Sequence, residues 1–210
     1  MQRALTRLLA LLGLIFLALL VPGTSSARRD QRRPRPFKGH HRHHHARVAE
    51  PVCADADTPP TAASAAAMRR AVLCLVNRER TSRGLPALRA KRALSASAQR
   101  WTNSMVSSGF FSHGADFSSR ISAAGYVWVY AGENIASGFD TPRAVVRAWM
   151  GSRDHCRNIL DPHYADVGSG VVPRPVGEDR GSSWTQDFGL RVGRALPSRD
   201  EDPRSRCPYD

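Results

Sequence analysis

The sequence predicts an α+β domain that follows a long N-terminal extension. Between about residues 64 and 108, apolar side chains recur at three- and four-residue steps, the spacing of helices that bury one face. After residue 166, two segments alternate between apolar and polar residues or run apolar, as strands do. With 210 residues, the chain has room for one domain of about 150 residues that builds its own core.

Four helices are expected. The first two span Ser64 to Gly84 and Lys91 to Ser108, each with an apolar stripe that we assign to core packing. A short helix is expected from Asp116 to Ala124. The fourth runs from Pro142 to about Ser152, because Thr141 suits the N-cap and proline suits the first helical position.

The last third of the domain predicts an antiparallel hairpin with strands from Val167 to Val172 and from Ser183 to Val192. Upstream, Tyr126 to Tyr130 is rich in strand-forming residues, and we interpret it as an extended lead-in to Glu133-Asn134. That pair is expected in a glycine-rich turn, where a carboxylate can face a cavity.

The N-terminus has the three parts of a secretory signal. Arg3 and Arg7 precede fourteen apolar residues from Leu8 to Val21, and small residues end at Ala27, where we place cleavage. The alternative is a retained anchor, which is disfavoured because a spanning helix needs about 20 apolar residues. We therefore expect export, with residues 1–27 as the signal peptide.

Residues 28–63 are expected to be a disordered, basic, histidine-rich linker, because they contain too few apolar side chains to offset the entropy of ordering. Five histidines cluster there: His40, His41, His43, His44 and His45. Such a run can capture zinc, nickel or copper, although we favour a solvated linker attracted to the cell wall. The folded domain is placed at residues 64–193, and residues 194–210 form a C-terminal tail.

Cysteine use fits an oxidising compartment. The four cysteines lack C-x-x-C spacing, which argues against a zinc knuckle, and their even number indicates two disulfides. Of the three possible pairings we favour Cys53–Cys74 and Cys156–Cys207; the alternative is that two or more are free, buried side chains.

The net charge of +13 is uneven: residues 28–50 carry eight basic and two acidic side chains, and residues 51–210 a net +5. Because no basic stripe is interleaved with aromatic residues, nucleic acid is not an expected partner. Attraction to anionic cell-wall polymers or lipid headgroups is the simpler use. We expect a monomer with no membrane span after signal cleavage, and a cell-wall polymer, a lipid or an extracellular protein as ligand.

Five sequence blocks occur in a fixed order between Met68 and Val192: LVNRERTSRGLPAL, FFSH, AGENIASG, AWMGSRDHCRNIL and WTQDFG. Together they resemble the CAP superfamily, named for cysteine-rich secretory proteins, antigen 5 and pathogenesis-related proteins, and most closely its bacterial branch. The resemblance implies a three-layer α-β-α sandwich with a small antiparallel sheet. It also implies that the Asn-x-x-Arg pattern of the first block, Asn77 and Arg80, is structural rather than catalytic.

Secreted animal and plant members of this superfamily have a cavity with two histidines and two glutamates. His113 matches the first histidine and Glu133 the first glutamate, while Ser152 and Ser183 stand at the other two positions. His155, in the SRDHC block, is instead a feature of the bacterial branch. Phe110 and Phe111 are expected to bury the turn that holds His113, although a lone histidine after aromatic residues is often only hydrogen-bonded.

The expected ligand-binding cleft therefore contains His113, Glu133, Asn134 and His155. Two imidazoles and a carboxylate, His113, Glu133 and His155, suit zinc or another divalent metal with one open position. Only the fold can bring them together, since they are 20 and 22 residues apart.

Two functions of different classes follow. The first is a secreted binding module of the bacterial cell envelope, whose cleft takes a lipid, a glycan or a divalent metal, with Asn134 as scaffold. The second is an extracellular hydrolase with Glu133 or His155 as general base and a metal-bound or free water as nucleophile. We favour the binding module, because the chain lacks G-x-S-x-G, H-E-x-x-H and an evident serine triad. A purely structural role is a third possibility, and a cysteine protease would require Cys156 to be free.

Overall fold

A computed structural model describes residues 52–60, 64–177, 180–195 and 207. The signal segment, the histidine run and most of the tail lie outside these residues, so the expectations for them stay predictions. Within the described ranges, no helix has both the length and the apolar character needed to cross a membrane.

The described residues form five helices and four strands. In chain order they are α1 (Ala65–Thr81), β1 (Arg89–Ala90), α2 (Arg92–Ser108), α3 (Phe117–Ala123), β2 (Trp128–Phe139), α4 (Pro142–Met150), α5 (Arg153–Ile159), β3 (Asp166–Val172) and β4 (Ser182–Arg191). The four predicted helices are α1 to α4. The predicted Thr141 cap is present, since Thr141 Oγ1 accepts from the amide of Ala144. Asp116 also caps α3, because its side chain accepts from the amide of Ser119.

The sheet has the strand order β1-β3-β4-β2. The predicted hairpin is confirmed, because β3 and β4 pair antiparallel, and β4 pairs antiparallel with β2. The short β1 pairs parallel with β3, which makes the sheet mixed rather than purely antiparallel. Strand β2 is thus an edge strand.

Helices cover both faces of the sheet, which confirms the predicted three-layer α-β-α sandwich. On one face α2 lies very close to β3: a Cβ at Gly168 would come within 2.1 Å of the Ser95 nitrogen, and a Cβ at Gly170 within 2.5 Å of Ala98. The alternate residues Val167 and Val171 face the other way, into a core built with α1, α4 and α5.

The prediction of a glycine-rich turn at Glu133-Asn134 was wrong. These residues lie in the middle of β2 and pair with Asp187 and Gln186 of β4. Gly132 serves close packing instead, since a Cβ there would lie 2.1 Å from Tyr164 Oη. Because neighbouring residues of a strand point to opposite faces of the sheet, the side chains of Glu133 and Asn134 lie on opposite faces of β2.

Both favoured disulfides are present, Cys53–Cys74 and Cys156–Cys207, and no described cysteine is free. A free-thiol role for Cys156 is therefore excluded. The segment 52–60, which we expected in the linker, packs on the domain: Cys53 is buried, and the Arg143 amide donates to the Ala56 carbonyl at 2.8 Å.

The Asn-x-x-Arg pattern is structural, as expected. Asn77 donates to the Leu88 carbonyl and accepts from the Leu88 amide, tying α1 to the chain before β1. Arg80 is fully buried, and its guanidinium donates to four backbone carbonyls, those of Pro86, Ile159, Asp161 and Tyr164. Burial lowers the pKa of Arg80 to about 10, which leaves it charged at neutral pH.

Candidate functional site

His113 and Glu133, twenty residues apart in sequence, are in direct contact. His113 Nδ1 lies 2.8 Å from Glu133 Oε1. The histidine side chain is 49% exposed, whereas that of Glu133 is only 1% exposed. The His113 loop is held from below, since Trp101 Nε1 donates to the Ser112 carbonyl at 3.0 Å. A half-exposed imidazole thus lies over a buried carboxylate.

Two aromatic rings beside this loop are exposed, which corrects the expectation that they bury the turn. Phe110 is 66% exposed and Phe111 is 49% exposed. The rings follow Gly109, whose φ of +67° ends α2 in a left-handed cap. Because the chain turns outward there, the rings face solvent next to His113.

Arg120, on α3, donates a hydrogen bond to the second carboxylate oxygen of Glu133. Its Nη2 lies 2.6 Å from Glu133 Oε2, its Nη1 donates to the His113 carbonyl at 2.9 Å, and its guanidinium carbon is 3.8 Å from the centre of the Trp101 ring. Both carboxylate oxygens of Glu133 are therefore engaged, one by histidine and one by arginine. We did not predict this role for Arg120, because nothing in its spacing from Glu133 indicates contact.

A second carboxyl lies directly opposite Glu133. Asp187 pairs with Glu133 in the β2–β4 register and is fully buried, and both of its oxygens lack a hydrogen-bond partner among the described residues. Burial, and then the negative charge of Glu133, hold the pKa of Asp187 well above its ordinary value of 3.8; Ser97 and Arg120 oppose the shift. Burial and the charge of Glu133 both favour the protonated form of Asp187.

The sequence contained a signal for Asp187 that we did not use. The block WTQDFG places an aspartate next to a phenylalanine inside a predicted strand, and an aspartate is rarely buried there unless it is paired or serves a site. The cluster beneath His113 therefore has two carboxyls, those of Glu133 and Asp187, and one arginine, Arg120.

Asn134 faces the other side of β2 and joins the strand to α5. Its Nδ2 donates to the His155 carbonyl at 3.2 Å, and Asn158 Nδ2 donates to Asn134 Oδ1 at 2.9 Å and to the Glu133 carbonyl at 3.1 Å. Strand β2 is an edge strand, so some of its backbone groups have no partner strand. Asn158 Nδ2 satisfies the Glu133 carbonyl, and Trp149 Nε1 satisfies the Ile135 carbonyl. Asn134 acts as scaffold.

His155 is placed by α5 and not by the far end of α4. Its Nδ1 lies 2.9 Å from Ser152 Oγ, and no direct contact joins its ring to Glu133 among the described residues. Burial, and then the charge of His113, lower the pKa of His155 below its ordinary value of 6.5, against the opposing charge of Asp154. The ring is therefore neutral at neutral pH.

The two serines that replace the second glutamate and second histidine have different roles. Ser152 contacts the cleft histidine His155. Ser183 is buried, and its hydroxyl donates to the Arg174 carbonyl at 2.8 Å, which is a structural contact at the other end of β4.

The predicted zinc ligands do not form a three-ligand set here. Across residues 52–60, 64–177, 180–195 and 207, no group of three or more His, Cys, Asp or Glu side chains could hold a metal ion. Both oxygens of Glu133 are engaged, one by His113 and one by Arg120. Metal binding through the histidine rings stays a prediction.

Comparison with known proteins identifies the family. The model of the cysteine-rich secretory protein family, CAP, matches residues 73–188, which is more than half of the chain. The chain therefore belongs to this family. It is 37% identical over 145 residues to the uncharacterized protein YkwD of Bacillus subtilis, covering 66% of this chain and 54% of that relative. The chain thus matches about half the length of this curated relative.

Solved structures agree on the fold. An extracellular protein of Bacillus anthracis containing an SCP domain superposes with a TM-score of 0.55 at 23% identity, covering 63% of this chain and 45% of that one. A cysteine-rich secretory protein of Staphylococcus aureus gives a TM-score of 0.52 at 17% identity, with coverage of 62% and 40%. At these identities the likeness concerns the fold alone.

Proposed function

We propose that this CAP protein is a secreted binding module of the bacterial cell envelope, and that the cleft around His113, Glu133 and His155, with Asn134 as its scaffold, takes a lipid or a glycan. One observation carries the proposal: Glu133 is buried and already paired on both oxygens, so the cleft presents imidazole rings rather than a reactive carboxylate. A site of this kind offers hydrogen bonds and a fixed shape to a ligand.

The exposed aromatic rings support a ligand with apolar or sugar-ring surfaces. Phe110 and Phe111 project beside His113, and adjoining exposed apolar side chains often mark an interaction site. Together with the imidazoles, they provide both the apolar and the polar contacts that such a ligand needs.

Secretion has three supports. The N-terminal segment has the pattern of a signal peptide. Both disulfides are formed, which suits an oxidising compartment. One similar structure is an extracellular protein of Bacillus anthracis.

The proposal is tested by measuring binding of the chain to purified peptidoglycan and to phosphatidylglycerol vesicles by sedimentation. His113→Ala and His155→Ala should each weaken binding to one of these by about tenfold, the loss expected for one good hydrogen bond to a ligand. Arg100→Gln, an exposed change on α2, is the matched control and should bind normally. Unchanged binding by both histidine variants, with unchanged melting, would refute the proposal.

The hydrolase alternative rests on the contact between Ser152 Oγ and His155 Nδ1. A neutral histidine beside a hydroxyl is the pair that activates a serine nucleophile, and the lowered pKa of His155 keeps the base unprotonated. If the chain hydrolyses p-nitrophenyl acetate, Ser152→Ala and His155→Ala should abolish the activity, while Ser183→Ala should leave it intact. Equal rates in all variants would remove this alternative.

A further inference from the structure

A second pocket lies where β1 and β3 begin and β4 ends, and none of its lining residues belongs to the cleft. Its volume is about 460 Å³, within the range of small-molecule sites. The apolar part of the wall includes Pro86, Pro162 and Leu190. This pocket and the cleft therefore share no residue.

The charged part of the wall is entirely basic: Arg89, Arg194 and His163 line the pocket, and its described lining contains no Asp or Glu. Arg89 uses Nε and Nη2 on Asp166 Oδ1, at 3.2 and 3.1 Å, which leaves Nη1 for a ligand. Arg194 is exposed, and its guanidinium has no ion pair or hydrogen bond among the described residues. A cation without a partner beside a pocket indicates an anionic ligand.

A buried carboxylate, that of Asp161, fixes the orientation of the His163 ring. Its Nδ1 lies 2.7 Å from Asp161 Oδ1, and its backbone amide also donates to that oxygen, at 2.9 Å. Tyr130 Oη lies 3.3 Å from the other oxygen of Asp161. Because Nδ1 carries its proton toward Asp161, Nε2 is the ring nitrogen that remains for a bound molecule. It accepts from a phosphate hydroxyl when the ring is neutral and donates to a phosphate oxygen when the ring is protonated.

Buried Arg80 fixes the two loops that wall the pocket. Its Nε donates to the Pro86 carbonyl at 3.0 Å, on one wall, and its Nη1 and Nη2 donate to the Asp161 and Tyr164 carbonyls at 2.9 and 3.3 Å, on the other. A pocket whose walls are joined by one buried side chain is preorganised, which lowers the cost of binding.

We propose that this pocket binds a phosphate-bearing small molecule or polymer unit, with the phosphate against Arg89, Arg194 and His163 and the organic part against Pro86, Pro162 and Leu190. A phosphate has more oxygens than a carboxylate, so it can accept from both guanidinium groups at once while another of its oxygens pairs with His163 Nε2. The proposal does not depend on the function of the cleft.

Calorimetric titration of the full chain with sn-glycerol 3-phosphate tests it. Arg194→Gln should weaken binding by about tenfold, the loss of one charge-assisted hydrogen bond, and His163→Gln by a similar factor. Arg100→Gln removes the same charge from an exposed position on α2 and should leave the affinity unchanged. All variants keep the basic N-terminal segment, so any binding there cancels in the comparison.

Two further arms identify the source of the phosphate. Inorganic phosphate reports the anion alone, and vesicles of phosphatidylcholine with and without phosphatidylglycerol report a lipid headgroup. Preference for glycerol phosphate over inorganic phosphate would support the apolar wall. Equal affinities of Arg194→Gln, Arg100→Gln and the unmodified chain for glycerol phosphate, or the absence of saturable binding, would overturn the proposal. Because these variants do not touch His113 or His155, failure here is distinct from failure of the cleft proposal.

Discussion

Two histidine–carboxylate pairs occupy different parts of the same domain and have opposite surroundings. His113 contacts Glu133 at 2.8 Å, and His163 contacts Asp161 at 2.7 Å, so the pairs are nearly alike in distance. They differ in exposure: the His113 ring is 49% exposed and that of His163 is 16% exposed. The difference shows that a histidine–carboxylate contact does not define a site until its neighbours are known.

The neighbours of each carboxylate decide its chemistry. Behind Glu133 lies a second carboxyl, Asp187, whose pKa is raised mainly by burial, and Arg120 binds Glu133. Around Asp161, buried Arg80 binds the backbone, and the adjoining pocket carries further cations. The first pair is therefore a closed ionic cluster with an imidazole at its surface, and the second supports a basic pocket.

Arg80→Met should have the largest effect, because it removes the four hydrogen bonds from the Arg80 guanidinium to the loops around His163. Leaving buried carbonyls unsatisfied should lower the free energy of unfolding by about 3 to 5 kcal/mol. Urea denaturation followed by circular dichroism measures this, with Arg100→Met as control. A loss below about 1 kcal/mol would show that the loops hold without Arg80.

Arg120→Gln should come next, at about 2 to 4 kcal/mol, because it leaves buried Glu133 beside Asp187 without its cation. The same denaturation experiment should show that adding Glu133→Gln recovers much of the loss, since the double variant carries no unpaired charge. If the loss of unfolding free energy in the double variant equals the sum of the losses in the two single variants, the broken ion pair does not explain the effect of Arg120→Gln.

Asp187→Asn should stabilise the protein increasingly as the pH rises. The folded-state pKa of Asp187 lies above 3.8, mainly because of burial, so between these values the native state holds a proton that the unfolded state has lost. Native stability therefore falls with rising pH in that window, by at most about 1.4 kcal/mol per pH unit, and asparagine removes this dependence.

The measurement is unfolding free energy of both proteins from about pH 4 to about pH 8. Asp57→Asn is the matched control, because Asp57 is an exposed carboxylate paired with Arg143. A difference between Asp187→Asn and the unmodified chain that stays constant with pH would mean that Asp187 is ionised in the folded protein.

The smallest effects compare the two histidines directly. His163→Gln should cost about 1 to 2 kcal/mol, since it breaks a mostly buried bond to Asp161. His113→Gln should cost about 0.5 kcal/mol or less, because half of its side chain is in water. Thermal melting of the two variants side by side measures both, and equal losses would contradict the contrast in burial.

Much of the fold could be predicted from the sequence, because its signals are local. The apolar periodicity of α1 and α2, the Thr141-Pro142 start of α4 and the β3–β4 hairpin depend on neighbours in sequence. Strand β2 could not be recognised in full, because the glycine of Gly132-Glu133-Asn134 indicates a turn unless its close packing against Tyr164 is known.

The site was predictable only in part. His113 and Glu133 were identified through the family blocks, and they are in contact. Arg120 and Asp187 were missed because their contacts with Glu133 arise from tertiary placement and strand register, which no spacing reports. His163 was missed for the same reason, since its role depends on a pocket formed by three separate segments.

The central claim is that Glu133 belongs to a closed ionic cluster with His113 and Arg120 and is therefore not a metal ligand. Calorimetric zinc titration tests this most directly, using the chain in which His40, His41, His43, His44 and His45 are all replaced by Gln, beside the same chain carrying Glu133→Gln. We predict no stoichiometric zinc site that depends on Glu133. A one-to-one site lost in Glu133→Gln, and equally in His113→Ala and His155→Ala, would contradict the account and establish a metal centre.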